Sequence, residues 1–482
     1  PNHVVMFDNI YISDVAGGIF KLLYVVVVLG TIIIVLLDNR NPLKSIAWIL
    51  VLTFLPFIGL VIYFFFGQDQ RRERMISKKS YSHLLEKPKA KYKDQDVSIP
   101  ADYKTLIAFF KNTDQSFPYD GNQVEVYSCG YSKLNSLIKE LYKAKEHIHI
   151  DYYIFEDDAV GRLVRDVLID RARAGVRVRI IYDDVGCWGV SKSFFESMRY
   201  EGIEVKPYLK VLFPLFTSKV NYRNHRKIVV IDGITGFVGG MNLATRYVKG
   251  VEWGVWRDSH IMLKGRAVHG LQTAFLLDWY FVDHTLLSSD KYFPQIQTQG
   301  NVLCQIVTSE PIGLCRTIMQ GLLMTISSSK HYLYIQTPYF LPTEPIQVAL
   351  KTAALAGVDV RIMLPAQGDS KLTFLASCSY IEDMLYAGVK VYFYQKGFMH
   401  AKTVVSDDAL CSVGTTNIDF RSFEHNFEVN AFLYSKEASI ELKNAFLVDL
   451  KDSEEIQYKR WKSRPLFRKM IESILRLLSP LL

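Results

Sequence analysis

Two copies of one pattern, His-x-Lys-x4-Asp, stand 175 positions apart in this chain of 482 residues: His225, Lys227 and Asp232, then His400, Lys402 and Asp407. After six intervening residues each copy continues into Gly-x-x-Asn, as Gly239 and Asn242 in the first and Gly414 and Asn417 in the second. An imidazole, an ammonium and an amide delivered together fit a phosphate. Two such sets with a common spacing point to two halves of one active site. Five residue types recurring at fixed offsets, in a chain with only eleven histidines, make coincidence a poor explanation.

A phosphodiester is anionic and is attacked slowly, so its oxygens must be neutralised while nucleophile and leaving group are both activated. Lys227, Lys402, Asn242 and Asn417 supply a clamp. One neutral imidazole attacks phosphorus to give a phosphohistidine, and the opposite imidazolium protonates the departing alcohol. No paired carboxylates or Asp-rich run at divalent-cation spacing stand near either motif, so no metal and no other cofactor is expected.

Such chemistry needs rigid strands. In each copy an apolar strand (228 to 231; 403 to 405) meets a turn at Asp-Gly or Asp-Asp and returns as a second strand ending at glycine. His and Lys, two apart, share one strand face, while the Asp lies past the strand and reads as an orienter more than a chemical group. Upstream the elements also repeat. Strands at 124–127, 148–155, 176–182 and 203–208, with a helix at 161–174, answer strands at 302–307, 333–340, 358–364 and 389–394, with a helix at 346–356. The wording Ala174-Gly175-Val176 recurs as Ala356-Gly357-Val358. The pattern predicts an α/β fold of two tandem domains with central sheets, over 101–290 and 291–482. The first half has about eleven extra residues before His225, with an apolar stretch at 211–216 that either packs on its own domain or forms a lip meeting acyl chains. His147, His149, His331 and His425 read as structural.

Composition sets the surroundings. A hydrophobic content of 49% and a net charge of +8 exclude disorder, and the charge suits an anionic lipid surface or nucleic acid equally. Six cysteines without CxxC pairs or zinc spacing read as buried thiols in a reducing compartment. After an N-terminal segment over 1–18, residues 19–67 hold two apolar runs, Ile19 to Leu37 and Ser45 to Phe66, about 28 and 33 Å long as helices, joined by a turn at Asp38 to Lys44. They predict a transmembrane hairpin, with Pro56 and Gly59 tolerated inside it. Arg71, Arg72, Arg74, Lys78 and Lys79 outnumber Arg40 and Lys44 and place the bulk of the protein on the cytoplasmic side. A charged neck over 68–100 follows. At the other end Leu466, Phe467, Met470, Ile471, Ile474, Leu475 and Leu478 fall at helical spacing among Arg464, Arg468, Lys469 and Arg476. This amphipathic helix either packs on the catalytic domain, lies on the anionic leaflet or mediates self-association into a homo-oligomer.

The doubled motif resembles the phospholipase D superfamily, and the whole chain is similar to its membrane branch, the bacterial cardiolipin synthases. The resemblance rests on Asn224-His225-Arg226-Lys227 through Gly239-Gly240-Met241-Asn242, then Trp256-Arg257-Asp258. It continues with Gln336-Thr337-Pro338-Tyr339-Phe340, His400-Ala401-Lys402, and Gly414-Thr415-Thr416-Asn417 through Arg421-Ser422. It implies transfer of a phosphatidyl group from one phosphatidylglycerol to a second, giving cardiolipin and glycerol in a bacterial cell membrane. It also implies His225 as nucleophile and His400 as acid then base, Thr415 at the phosphate, and a histidine-orienting acid after each motif, Asp258 for the first and Glu428 for the second. Gly240, where many relatives carry serine, breaks the symmetry. Arg421 and Ser422 read equally as headgroup contacts or as a structural turn with Asp419 paired to Arg421. A phospholipase hydrolysing the same intermediate to phosphatidic acid is the alternative. Nucleic-acid work gains nothing from two membrane spans and is not expected.

Overall fold

The computed structural model describes residues 18, 22–37, 42–55, 57–63, 83–86, 97–211, 221–311 and 315–480. Residues 38–41 of the expected turn, residues 68–82 and 87–96 of the neck and residues 212–220 of the apolar loop lie outside them, while 42–44 of the turn belong to a helix. The chain divides into two compact units, a small one that takes in the N-terminal residues to Gln70 and a large one over Arg71–Leu212 and Tyr222–Leu482.

In the small unit, residues 22–37 are helical, as are Pro42–Phe54 and Ile58–Ile62. Among the described residues no helix is both long and apolar enough to cross a membrane. The second apolar run is broken where the sequence places Pro56, which has no N–H to donate and disfavours helical geometry at Leu55. Phe57 then takes a positive φ of 61° before the helix resumes. Val35, Leu52 and Tyr63 form a small core, with Trp48 edge-on to Tyr63. A Cβ at Gly59 would stand 2.7 Å from the Val51 carbonyl oxygen, so this turn is closed against the preceding helix. Leu22, Val26, Leu29, Ile33, Phe54 and Ile58 face outward.

The large unit is built on one long sheet with two separate two-stranded pairs. Its first half supplies β1 (Tyr119–Tyr127), β2 (His147–Tyr152), β3 (Arg177–Asp183), β4 (Glu204–Tyr208), β5 (Arg223–Asn224), β6 (Lys227–Ile231), β7 (Thr235–Gly239), β8 (Val255–Arg257) and β9 (His260–Lys264). The second supplies β10 (Val302–Ser309), β11 (Tyr332–Gln336), β12 (Phe340–Leu341), β13 (Asp359–Pro365), β14 (Lys390–Tyr394), β15 (Gly397–Met399), β16 (Thr403–Ser406), β17 (Leu410–Gly414), β18 (Ile418–Asp419), β19 (Asn426–Tyr434) and β20 (Ser453–Glu455). From the centre outward the order is β1-β9-β7-β6-β2-β3-β4 on one side and β10-β19-β17-β16-β11-β13-β14-β20 on the other. The internal repeat is therefore a pseudo-twofold about the antiparallel β1–β10 pair. The two central sheets expected of tandem domains are thus one continuous sheet, because both β1 and β10 are edge strands that satisfy each other's ladders.

The repeated Ala-Gly-Val wording has a local cause. Gly175 (φ 89°) and Gly357 (φ 94°) close the helices Ala159–Arg173 and Glu344–Leu355 in the left-handed region. Val176 and Val358 then donate back to Arg171 and Ala353 at 3.0 and 3.1 Å. Apolar side chains cover both faces in large buried clusters, the middle one spanning both halves through Val230, Val238, Ile261, Val405, Val413 and Val429. All six cysteines are free thiols; Cys187, Cys304, Cys378 and Cys411 are buried as expected, but Cys129 is exposed. The C-terminal helix Leu466–Leu477 packs on the rest of the unit along one side only: Glu472 and Leu475 are buried, while Leu466, Phe467, Met470, Ile474 and Leu477 are exposed. Lys469 and Arg476 pair with Glu382 and Asp383 of the helix Lys371–Tyr386, and Arg464 and Arg468 pair with Glu472.

Candidate active site

His225 follows β5 and His400 follows β15, and both short strands belong to parallel pairs that cross between the halves. β5 lies beside β19, with Phe427 level with Asn224, and the His225 amide donates to the Phe427 carbonyl at 2.9 Å. β15 lies beside β8, with Arg257 level with Met399, and the His400 amide donates to the Arg257 carbonyl at 2.7 Å. Each histidine is thereby set next to the acid that follows the other motif. His225 Nδ1 is 3.1 Å from both carboxylate oxygens of Glu428, and His400 Nδ1 is 2.5 Å from Asp258 Oδ2. The pairing suggested by order along the chain is exchanged. With Nδ1–H given to a carboxylate, each ring keeps the Nε2 lone pair for chemistry.

Both imidazoles line a single cavity of about 540 Å³, together with Tyr153, Asn242, Tyr247, Trp256, Tyr339 and Asn417. Rings wall them in: Tyr153 stands edge-on to His225 at 5.0 Å, and Trp256 lies 5.2 Å from His400. Tyr339 thus belongs to the pocket, whereas Phe340 is core. The lysines stand behind the histidines. Lys227 is 0% exposed and Lys402 3%, against 9% and 7% for His225 and His400, and each ammonium donates to the carbonyl oxygen of its own motif's histidine.

Burial sets the electrostatics. It lowers His225 to about 4, with the Lys227 charge adding and Glu428 opposing. Burial and then Lys402 lower His400 to about 3, against Asp258. Burial also brings Lys227 down to about 7 and Lys402 to about 8. Burial pushes the Glu428 carboxyl up, but His225, Lys227 and the Thr415 hydroxyl more than offset it and hold it below its usual value. Both imidazoles are neutral at pH 7, and the lysine charges begin to be lost just above it.

The remaining expected residues separate into groups. Asn242 and Asn417 reach the cavity: Asn242 accepts from the Ile154 amide and donates to the Tyr247 hydroxyl, while Asn417 Oδ1 is buried with no hydrogen-bond partner among the described residues. Thr415 does not bind in the cavity. Its hydroxyl donates to Glu428 Oε2, so it braces the acid that braces His225. At the matching place a Cβ on Gly240 would fall 2.1 Å from Asp258 Oδ1, and the missing side chain is what admits Asp258 to His400. Asp232 and Asp407, grouped by sequence with the catalytic residues, lie away from the cavity. Asp232 accepts the amides of Lys145, Glu146 and His147; Asp407 accepts those of Lys330, His331 and Tyr332. Both take a left-handed backbone (φ 52° and 53°) that Asp tolerates, and both tie the motif hairpin to the start of the neighbouring strand.

Some cavity residues carried no sequence signal as single positions: Arg223, Arg246, Tyr247, Asp369 and Thr373. Asp419 does not pair with Arg421 but caps the short helix Phe420–Glu424 by accepting from the Ser422 amide at 2.6 Å, and burial lifts its carboxyl to about 6. Arg226 braces the frame, donating to Asp278 at 2.5 Å and to the Glu428 carbonyl oxygen at 3.2 Å. His147 and His149 are buried against Gln272, as structural histidines.

A family model described as cardiolipin synthase, PLD-like domain matches residues 137–278 and 322–450, and one described as phospholipase D-nuclease N-terminal matches residues 11–68. The chain is 40% identical over 481 residues to the major cardiolipin synthase ClsA of Bacillus subtilis, covering 97% of this chain and 100% of that one. It is 41% identical to cardiolipin synthase 2 of Bacillus anthracis, covering 93% and 89%. Among solved structures, a phosphatidylserine synthase of Haemophilus influenzae matches with a TM-score of 0.61 over 79% of this chain and all of that one; at 13% identity the likeness concerns the fold.

Proposed function

The chain belongs to the family of cardiolipin synthases built from phospholipase-D-like domains and is an enzyme of cardiolipin synthesis; from that premise, we propose that it transfers a phosphatidyl group between two phosphatidylglycerol molecules through a phosphohistidine on His225. The observation that carries this reading is that His225 and His400, each with Nδ1 on a carboxylate, line one cavity. Neutral His225 attacks phosphorus through Nε2, the bond to the glycerol oxygen breaks, and His400 gives that oxygen a proton. The hydroxyl of a second phosphatidylglycerol then passes its proton to His400 and attacks phosphorus, and the N–P bond breaks. His400 is neutral at pH 7 in the free enzyme, so its imidazolium forms when the lipid phosphate brings negative charge into the cavity beside Asp258.

Substrate and product are lipids, and the outward-facing apolar residues of the N-terminal unit suit a hydrocarbon surround. We place that unit in the bacterial cell membrane as a hairpin, with the catalytic unit on the cytoplasmic side for the Lys and Arg excess after it. The exposed apolar stripe of Leu466–Leu477 then rests on the leaflet. Purified protein given vesicles of phosphatidylglycerol should yield cardiolipin and free glycerol in equal amounts; phosphatidic acid as the main product would refute the transfer.

A further inference from the structure

Transfer to a second phosphatidylglycerol brings two phosphodiesters to the enzyme. One is the reacting phosphorus between His225 and His400; the other belongs to the acceptor and stands one glycerol bridge away. The motif lysines lie behind the histidines and serve the first. The second needs a cation of its own at the cavity wall.

Arginines 223, 246 and 421 line that wall. Arg223 is paired to Asp183 and Arg246 to Glu156, at 3.4 and 2.6 Å. Arg421 makes no ion pair and no side-chain hydrogen bond among the described residues, although Asp369 and Asp419 line the same cavity. Those carboxylates are engaged elsewhere: Asp369 accepts from the Tyr339 hydroxyl at 2.7 Å, and Asp419 from the Ser422 amide. Arg421 is half-buried and fixed on the short helix that follows Asn417, so its guanidinium is held at the cavity with no salt-bridge partner among the described residues. A guanidinium presents paired donors that match two phosphate oxygens.

We propose that Arg421 binds the phosphodiester of the acceptor phosphatidylglycerol and so selects a lipid alcohol over glycerol or water at the second step. This rests on the transfer reading. The first step consumes phosphatidylglycerol and releases glycerol; the acceptor hydroxyl then forms the new P–O bond as the His225 N–P bond breaks and the proton passes to His400. When glycerol itself is the acceptor, phosphatidylglycerol is regenerated and no second phosphate is present. The enzyme therefore runs two reactions from one intermediate, and only one of them calls on Arg421.

The test follows radiolabelled glycerol exchanging into phosphatidylglycerol and, in parallel, cardiolipin formation, in vesicles with the full chain. Arg421→Gln should lower the ratio of cardiolipin formation to glycerol exchange tenfold or more, and Arg421→Lys should recover part of it. Exchange reports an intact histidine pair in each variant. An unchanged ratio, or equal loss of both reactions in both variants, would overturn the assignment of Arg421 to the acceptor. Wild-type protein that performs neither reaction would instead overturn the transfer reading beneath it.

Discussion

Glu428 holds His225 Nδ1 at 3.1 Å, although 203 residues separate them and Glu428 follows the other histidine's motif. The contact exists because β19 runs parallel to β5, and its counterpart, Asp258 on His400, exists because β8 runs parallel to β15. Neither half can orient its own histidine.

The exchange has a spectroscopic consequence. Glu428 raises the His225 pKa against burial, so Glu428→Gln should lower it further and leave His400 nearly unmoved; Asp258→Asn should do the reverse. Histidine-resolved NMR titration reads both. Turnover should fall on the order of a hundredfold or more in each, as when an orienting carboxylate is neutralised. A shift at His400 in the Glu428 variant would contradict the crossed arrangement.

Asp232 and Asp407 should behave as structural residues. Each satisfies three backbone amides at 2.7 to 2.9 Å, so Asp232→Ala or Asp407→Ala strands donors at a strand start and should cost about 1–3 kcal/mol. Thermal melts should drop by several degrees while kcat per folded molecule stays within about threefold. Unchanged melting with lost turnover would return them to the chemistry.

How much of this could be read in advance follows from physics acting at different ranges. The histidines, lysines and asparagines were legible because phosphate chemistry needs those types at a fixed strand spacing, and the repeated Gly175 and Gly357 because a left-handed helix end needs glycine. The crossing was not, since order along the chain does not fix which short strand lies beside which. Nor was the brace from Thr415 to Glu428, because a hydroxyl beside a phosphate motif looks the same whether it faces substrate or carboxylate. Arg223, Arg246 and Arg421 come together in the fold alone, and the second apolar run divides into two helices, Pro42–Phe54 and Ile58–Ile62, where one was expected.

Anion binding should take up protons. Lys227 and Lys402 are lowered to about 7 and 8, and an entering phosphate favours their charged forms. Below pH 7 the free site already carries those charges. As pH rises through 7 and then 8 they are lost, so affinity for inorganic tungstate or phosphate should weaken steadily. Calorimetry in buffers of different ionisation heat should show net proton uptake near pH 8, and a smaller uptake in Lys227→Met. Affinity flat from pH 6 to 9 would contradict this account of the buried lysines.

The C-terminal helix should contribute to activity at a lipid surface. Phe467→Glu with Met470→Glu places charge on its exposed stripe and leaves buried Leu475 in place. Turnover of phosphatidylglycerol in vesicles should fall about three- to tenfold with melting unchanged. Full activity would leave the stripe without a role at the leaflet.

The central claim is that two imidazoles from opposite halves share one lipid phosphorus, with His225 taking it. Acid-quenched turnover of phosphorus-labelled phosphatidylglycerol, followed by peptide mapping, tests this directly. The label should be found on His225 and be absent in His225→Ala. Label on His400, or cardiolipin formed at the normal rate by either His→Ala variant, would contradict it.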